Sequence, residues 1–251
     1  MQLAIWQNFV RFVLNLIAFA RIVMNVSLRH WYLRTNSLFT QLNPQEISEL
    51  NIISCFKTAQ KNDYIYFGGD DLDRLYFVKQ GRLKLVSQSE TGEEAIVEVL
   101  KEEDVFGAIH LQAAPNTRQE YAQALSVVHL CSFTIEDFKR LLARKPELAI
   151  EYVKKVGAKL HTARNKFTDL VFKDSKQRIS NFFSLHAQHE GKLQPDGSYL
   201  LNMFLTHQDI ANFTAVSRQT TTKIINELIT EQKIIYISRK QVLIPNLKNL
   251  Q

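Results

Sequence analysis

The chain has 251 residues, enough for one large domain or, more naturally, two smaller ones. Its 31 Lys and Arg against 25 Asp and Glu leave a net charge of +6, which suits a polyanionic partner without requiring one. With two cysteines, Cys55 and Cys131, there is neither a disulfide framework nor a cysteine-rich metal spacing, and a reducing cytoplasm is the plain reading.

Residues 1–34 are an apolar extension. Within residues 3–26, Asn8, Arg11, Asn15, Arg21 and Asn25 interrupt the apolar run at helical intervals. Its longest uncharged stretch, Phe12 to Ala20, is far short of the roughly 20 residues of a membrane span. No small-residue cleavage site marks a secretory signal. Three readings stay open: translation that starts at Met24, an amphipathic helix that packs on the protein or caps a dimer, and a helix on a membrane surface.

Residues 35–145 read as a β-roll sensor domain. Asn43-Pro44 opens a short helix, after which the hydrophobic period changes to two. Residues 64–67, 75–78, 82–86 and 95–99 read as strands, and Gly68-Gly69-Asp70-Asp71, Gln80-Gly81 and Thr91-Gly92 as the turns between them. Beyond a loop holding Pro115 and Asn116, one further strand run extends from Tyr121 to Phe133. Short strands at this spacing indicate an all-β roll or sandwich, not an α/β enzyme core. A helix over Ile135 to Ala143 then leads to Pro146, a favoured first helical residue.

Residues 146–172 form one long helix, roughly 40 Å at about 1.5 Å per residue. Ala149, Val153, Val156, Leu160, Ala163, Phe167 and Leu170 follow alternating steps of four and three. That narrow heptad seam pairs better with an identical helix than with a broad core, and Gly157 beside it permits close approach. A buried helix within the domain is the alternative.

Residues 173–251 carry ten Lys and Arg against six Asp and Glu. Asp174 with Gln177 restarts a helix that runs to about His189, with Ile179, Phe182, Phe183 and Leu185 facing inward. Gln194-Pro195-Asp196-Gly197 turns between two short strands. The most informative segment follows, LTHQDIANFTAVSRQTTTKIINELI at 205–229. Thr206 and Asp209 have capping-box spacing, and Ile210, Ala211 and Phe213 give the first helix a buried face. Ala215-Val216 turns, and Ser217 caps a second helix whose apolar positions are Ile224, Ile225 and Leu228. Between cap and stripe, Arg218 to Lys223 form a polar first turn with nothing to bury. Donors and acceptors at a helix N-terminus are what major-groove reading requires. Residues 234–237 and 242–244 flank Ser238-Arg239-Lys240-Gln241, a hairpin with a basic tip that reads as a wing.

In order of parts, residues 35 to 245 resemble the CRP/FNR superfamily of transcription regulators. The carriers are DRLYFVKQGRLKLV at 73–86, EDVFGAIHL at 103–111, the long helix, and the helix-turn-helix with its hairpin. The resemblance implies an α+β fold: an N-terminal double-stranded, cyclic-nucleotide-binding-like β-roll, a long dimerisation helix, and a C-terminal winged helix-turn-helix. It implies a homodimer on a near-palindromic operator with half-sites about 34 Å apart. RNA polymerase is a further partner such a regulator can meet. By resemblance, Arg218, Gln219, Thr222 and Lys223 fall where the family reads bases. Thr206, His207, Gln208, Ser217, Thr220 and Lys240 fall near phosphates. Chemistry agrees, since Arg218 and Lys223 suit guanine, Gln219 can pair with adenine, and hydroxyls position without specifying. Cyclic-AMP-dependent members commonly carry Glu at the place of Gln219 and Arg at that of Lys223, so a different operator is expected.

The resemblance weakens at the effector pocket, which would involve Phe106, Gly107, Ala108, Arg118, Gln119, Ala163 and Arg164. Ala108 stands where the family's cyclic-nucleotide cassette has a Glu that meets the ribose, and Gln119 stands where it has Ser. Ala163 and Arg164 replace the Thr-Ser pair that meets adenine. Each lost charged hydrogen bond is worth about 1.5–3 kcal/mol. Two or three together erase micromolar affinity, itself about 8 kcal/mol. Cyclic AMP held in the usual manner is therefore not expected, and no cofactor is named; an unidentified small-molecule effector stays open. Cys55 alone cannot hold an iron–sulfur cluster, and His110, His129 and His161 lack a supporting haem motif. No phosphate loop, catalytic triad or HExxH motif appears, so the chain does not read as an enzyme. A ligand-binding signalling module whose C-terminal domain makes protein contacts is the competing function.

Overall fold

The computed structural model describes residues 37–40, 42–67, 73–109, 111 and 119–250. The three readings of residues 1–34 lie outside them, as do His110 and Arg118. Ser37–Phe39 is a 3-10 turn, and α1 (Pro44–Ile53) starts with a complete capping box between Asn43 and Glu46. Eight strands follow: β1 (Cys55–Ala59), β2 (Tyr64–Phe67), β3 (Arg74–Gln80), β4 (Leu83–Gln88), β5 (Glu94–Leu100), β6 (Val105–Gly107), β7 (Gln119–Ala124) and β8 (Val128–Thr134).

Among the described residues these strands form two antiparallel sheets, β1-β8-β3-β6 and β2-β7-β4-β5. Strand β3 shows why they stack. Its alternate residues Tyr76 and Val78 join Leu83, Leu85, Ala122 and Ala124 in the core between the sheets. Leu75 and Phe77 point the other way, into a core with Leu38, Phe39, Ile47, Phe133, Phe138, Leu148 and Tyr152. One sheet is thus covered on both faces, by its partner sheet and by helices.

The helices that cover it are α1, α2 (Ile135–Arg144) and the start of α3 (Pro146–Phe172). Thr134 caps α2, and Pro146 begins α3 as expected. Tyr152 anchors α3 by donating from its hydroxyl to the Ile109 carbonyl at 2.5 Å. No helix among the described residues is long and apolar enough to cross a membrane.

The run from Tyr121 to Phe133 is two strands rather than one. Strand β7 pairs with β2 and β4, while β8 pairs with β1 and β3, so the chain changes sheet at Leu125–Val127. Gly81 makes that crossing fit: at φ +90°, a Cβ there would meet the Val127 carbonyl oxygen at 2.1 Å. Alternation along one strand carries no mark of such a change of sheet.

The C-terminal part comprises α4 (Ser175–Glu190), β9 (Lys192–Leu193), β10 (Tyr199–Asn202), α5 (His207–Thr214), α6 (Arg218–Thr230), β11 (Ile235–Ser238) and β12 (Gln241–Ile244). Its strands form a sheet in the order β11-β12-β10-β9. Ile179, Phe182 and Phe183 of α4 meet Ile210, Ile224, Ile225, Leu228, Val242 and Ile244 in one core. Leu185 does not join them; it is exposed, because the inward arc of α4 passes through Phe182, Phe183 and Ala187.

Candidate nucleic-acid interface

Helix α5 begins at a reciprocal cap. Asp209 N donates to Thr206 Oγ1 at 3.1 Å, and Thr206 N donates to Asp209 Oδ2 at 2.9 Å. Burial pushes the Asp209 carboxyl up, but hydrogen bonds from Lys84 and Thr206 outweigh it and hold its pKa below the usual value. The helix ends at Ala215, which is left-handed at φ 53°, ψ 48°. A non-glycine residue there costs about 1–2 kcal/mol, and Arg178 stiffens the turn around it. The Arg178 guanidinium donates to the Thr214 carbonyl at 2.9 Å, the Ala215 carbonyl at 3.2 Å and the Lys173 carbonyl at 2.9 Å.

Ser217 then caps α6, accepting from Thr220 N at 3.1 Å and donating to the Thr220 hydroxyl at 2.8 Å. The polar first turn is not wholly free, as the sequence suggests it to be. Thr221 is fully buried, and its hydroxyl has no hydrogen-bond partner among the described residues. It lies three, four and seven residues before Ile224, Ile225 and Leu228, so helical spacing turns it inward with them. Thr222 is half-buried, with its hydroxyl 3.2 Å from His207 Nδ1. Burial, and then the Arg218 charge, push the His207 pKa below its ordinary value, which keeps the ring neutral near pH 7.

Arg218, Gln219 and Lys223 are what remain. All are exposed, and among the described residues none of their side chains makes a hydrogen bond or ion pair. Of the positions expected at phosphates, Thr206, Gln208, Ser217, Thr220 and Lys240 are exposed and His207 is half-buried. Gln208 donates to the Asn212 side chain at 2.7 Å. At the tip between β11 and β12 the Lys240 carbonyl accepts from Met203 N at 2.7 Å, so the backbone is fixed while the ammonium stays in solvent.

Both halves of the chain are similar to known families. A cyclic nucleotide-binding domain family matches residues 56–145, and a Crp-like helix-turn-helix domain family matches residues 177–251. The chain is 30% identical over 187 residues to the global nitrogen regulator of a Nostoc species, spanning 74% of this chain and 83% of that one. It belongs to the CRP/FNR family. This member is a transcription regulator with a helix-turn-helix DNA-binding domain. A CRP-like cAMP-activated global transcriptional regulator of Mycobacterium tuberculosis is 24% identical over 218 residues, 85% of this chain and 94% of that one. A CooA mutant from Carboxydothermus hydrogenoformans shares the fold with a TM-score of 0.68 at 21% identity, over 79% of this chain and 87% of that one. So does the c-di-GMP responsive regulator CLP of Xanthomonas campestris, with a TM-score of 0.68 at 16% identity, over 81% and 100%.

In this CRP/FNR chain the residues expected at the effector pocket are only partly brought together. Phe106 is buried, with its ring 5.1 Å from Tyr76 and 6.1 Å from Tyr66, centroid to centroid and nearly parallel. Tyr66 donates from its hydroxyl to Glu120 at 2.8 Å. Gly107 is at φ +84°, where a Cβ would meet the Arg74 carbonyl oxygen at 2.6 Å. Ala108 is buried behind it, its N donating to that same carbonyl at 2.9 Å. Gln119 opens β7 opposite Gln88. Ala163 and Arg164 are exposed on α3.

The residues expected at a dimer seam lie on α3. Val156 packs partly on the body of its own chain, whereas Val153, Leu160, Ala163, Phe167 and Leu170 are exposed, Leu160 at 70% and Phe167 at 67%. Sequence reasoning missed Arg178 and the second role of Asp209. A lone basic residue in a helix gives no sign that it will tie off a turn thirty-odd residues on.

Proposed function

We propose that this CRP/FNR regulator acts as a homodimer that reads a near-palindromic operator through Arg218, Gln219 and Lys223. The observation that carries the reading is that these side chains stand exposed at the N-terminal end of α6 while the rest of that turn is occupied with capping or packing. Thr222 supports them through His207 more than it reads bases itself. Thr206, His207, Gln208, Ser217, Thr220 and Lys240 hold the phosphates. The residues then group into a roll at 35–145, a dimer helix at 146–172 and a DNA-binding domain at 173–251.

The dimer rests on α3. An apolar row of Val153, Leu160, Phe167 and Leu170 on one 27-residue helix is exposed in the single chain, and a Cβ at Gly157 would meet nothing within 4 Å. Cyclic AMP in the usual manner is not the effector, because buried Ala108 offers no carboxylate to a ribose. Such a regulator performs no catalysis, works in the cytoplasm where its operator is, and has RNA polymerase as a further partner.

The experiment is selection from fragmented genomic DNA with the ligand-free full chain at moderate salt, paired with sedimentation of wild type and Phe167→Glu. Enrichment of an inverted repeat by a dimer, with Phe167→Glu sedimenting as a monomer, is expected. DNA retained without a shared motif, or a wild-type monomer, overturns the reading.

A further inference from the structure

The DNA-binding domain does not hang free of the roll. It is seated on the sheet β2-β7-β4-β5, and the contact centres on one ion pair. Lys84 on β4 reaches Asp209 on α5 at 2.6 Å, and the two side chains are only 13% and 10% exposed. Asp209 uses its two oxygens for different tasks. Oδ2 accepts from Thr206 N and from the Thr206 hydroxyl at 2.7 Å, which fixes the carboxylate to the start of the helix. Oδ1 then points at Lys84. A carboxylate already held in its cap has little freedom to follow a moving partner, so the pair sets the direction of α5 as well as its distance from the roll.

Around this pair the contact is apolar and multiply anchored. Val86, Ile96 and Tyr121 of the roll form a small core, with Val99 and Phe213 of α5 packed against it. Lys166 of α3 stands over the Phe213 ring at 3.9 Å and donates to the Ile96 carbonyl at 2.6 Å. Arg82 of the roll pairs with Glu190 of α4, and Lys101 donates to the His189 carbonyl at 3.4 Å. Roll and DNA-binding domain therefore meet along the length of α5, from Asp209 near its start to Phe213 near its end, where Lys166 of the long helix joins them. The recognition side chains on α6 stay exposed.

We infer that Lys84, a residue of the roll, is a positioning residue for DNA recognition: through Asp209 it fixes the orientation of the helix-turn-helix and so sets which half-site separation the two recognition helices accept. This rests on the dimeric, DNA-reading function proposed above. Phosphates and bases act on α5 and α6 from the solvent side, while Lys84 holds the opposite side of α5. Losing it leaves the reading residues intact and removes the stop that orients them. With a bare Asp209 carboxylate facing the apolar patch of Val86 and Ile96, the seated arrangement is no longer preferred.

The test uses the full chain as wild type, Lys84→Met and Lys84→Arg. Duplexes carry two half-sites whose separation changes one base pair at a time; single-base variants of one half-site and thermal unfolding are followed in parallel. Lys84→Met should weaken binding to the best-spaced duplex about tenfold, lose less at neighbouring spacings and so flatten the profile. Its preference among single-base variants should stay that of wild type, and Lys84→Arg should restore most of the spacing preference. A Lys84→Met profile that matches wild type, or one lowered equally at every spacing, overturns the inference and leaves DNA reading standing. A wild-type chain indifferent to spacing overturns the paired-half-site reading, and the inference falls with it.

Discussion

In the β-roll, Tyr66, Tyr76 and Phe106 lie ring against ring in the interior, whereas in the helix-turn-helix Arg218, Gln219 and Lys223 are exposed. The same family plan thus carries two opposite uses of side chains. Aromatic rings in the roll spend their surface on each other, so a change there acts on stability. Exposed Arg218, Gln219 and Lys223 contribute little to folding, so on the proposed reading a change there acts on affinity and base choice.

Variants can break that contrast or sharpen it. The largest effect should come from Phe106→Ala, at about 3–5 kcal/mol of stability for truncating a buried ring, measured by denaturant unfolding. A cost below about 1 kcal/mol would mean the stack is not what fills the roll. Next comes Gln219→Ala, which should leave unfolding unchanged and reduce discrimination at one base pair by about 1–3 kcal/mol on single-base operator variants. Equal weakening on every variant would show a general contact in place of base reading. Smaller still, Ala215→Gly should stabilise the DNA-binding domain by about 0.5–1 kcal/mol, since glycine accepts the left-handed conformation that alanine resists.

The smallest effect is a slope with pH. His186 is half-buried, its ring against those of Phe182 and Phe213, and the loss of solvent depresses its pKa below the ordinary value near 6.5. Below about pH 6.5 the unfolded ring binds a proton that the folded ring refuses, so stability falls as pH drops from about 6.5 toward the depressed value. His186→Phe should flatten that part of the stability–pH curve, and an unchanged slope would assign the acid sensitivity to other groups.

Helix ends were legible in the sequence because their causes are local. Asp174 with Gln177, Thr206 with Asp209, and Ser217 with Thr220 lie within a turn of each other and form as spacing demands. The exposure of Arg218, Gln219 and Lys223 in the first turns of α6 was legible for the same reason. The change of sheet at Leu125–Val127 was not, because it depends on Gly81 some forty residues earlier. Thr221 looked polar and is core, since helix phase outranks residue type once Ile224, Ile225 and Leu228 define the inward face. Lys84 reads as an ordinary outward residue of a strand, and only the fold brings Asp209 to it. The proposed dimer seam is written plainly in steps of four and three, and its Val153, Leu160, Phe167 and Leu170 are exposed on α3.

The three consecutive threonines of α6 have one further consequence. Thr220 is spent on the cap, Thr221 on the core and Thr222 on His207. On the proposed dimeric reading, that leaves each copy a short alphabet of Arg218, Gln219 and Lys223 with which to spell out a half-site. A word so brief recurs by chance throughout any genome, and competing sites of that kind dilute a regulator in proportion to their number. On the proposed paired reading, the chain's power to pick out an address grows by multiplication, two short words read at once, and each further separation the pair accepts adds as many chance matches as the first.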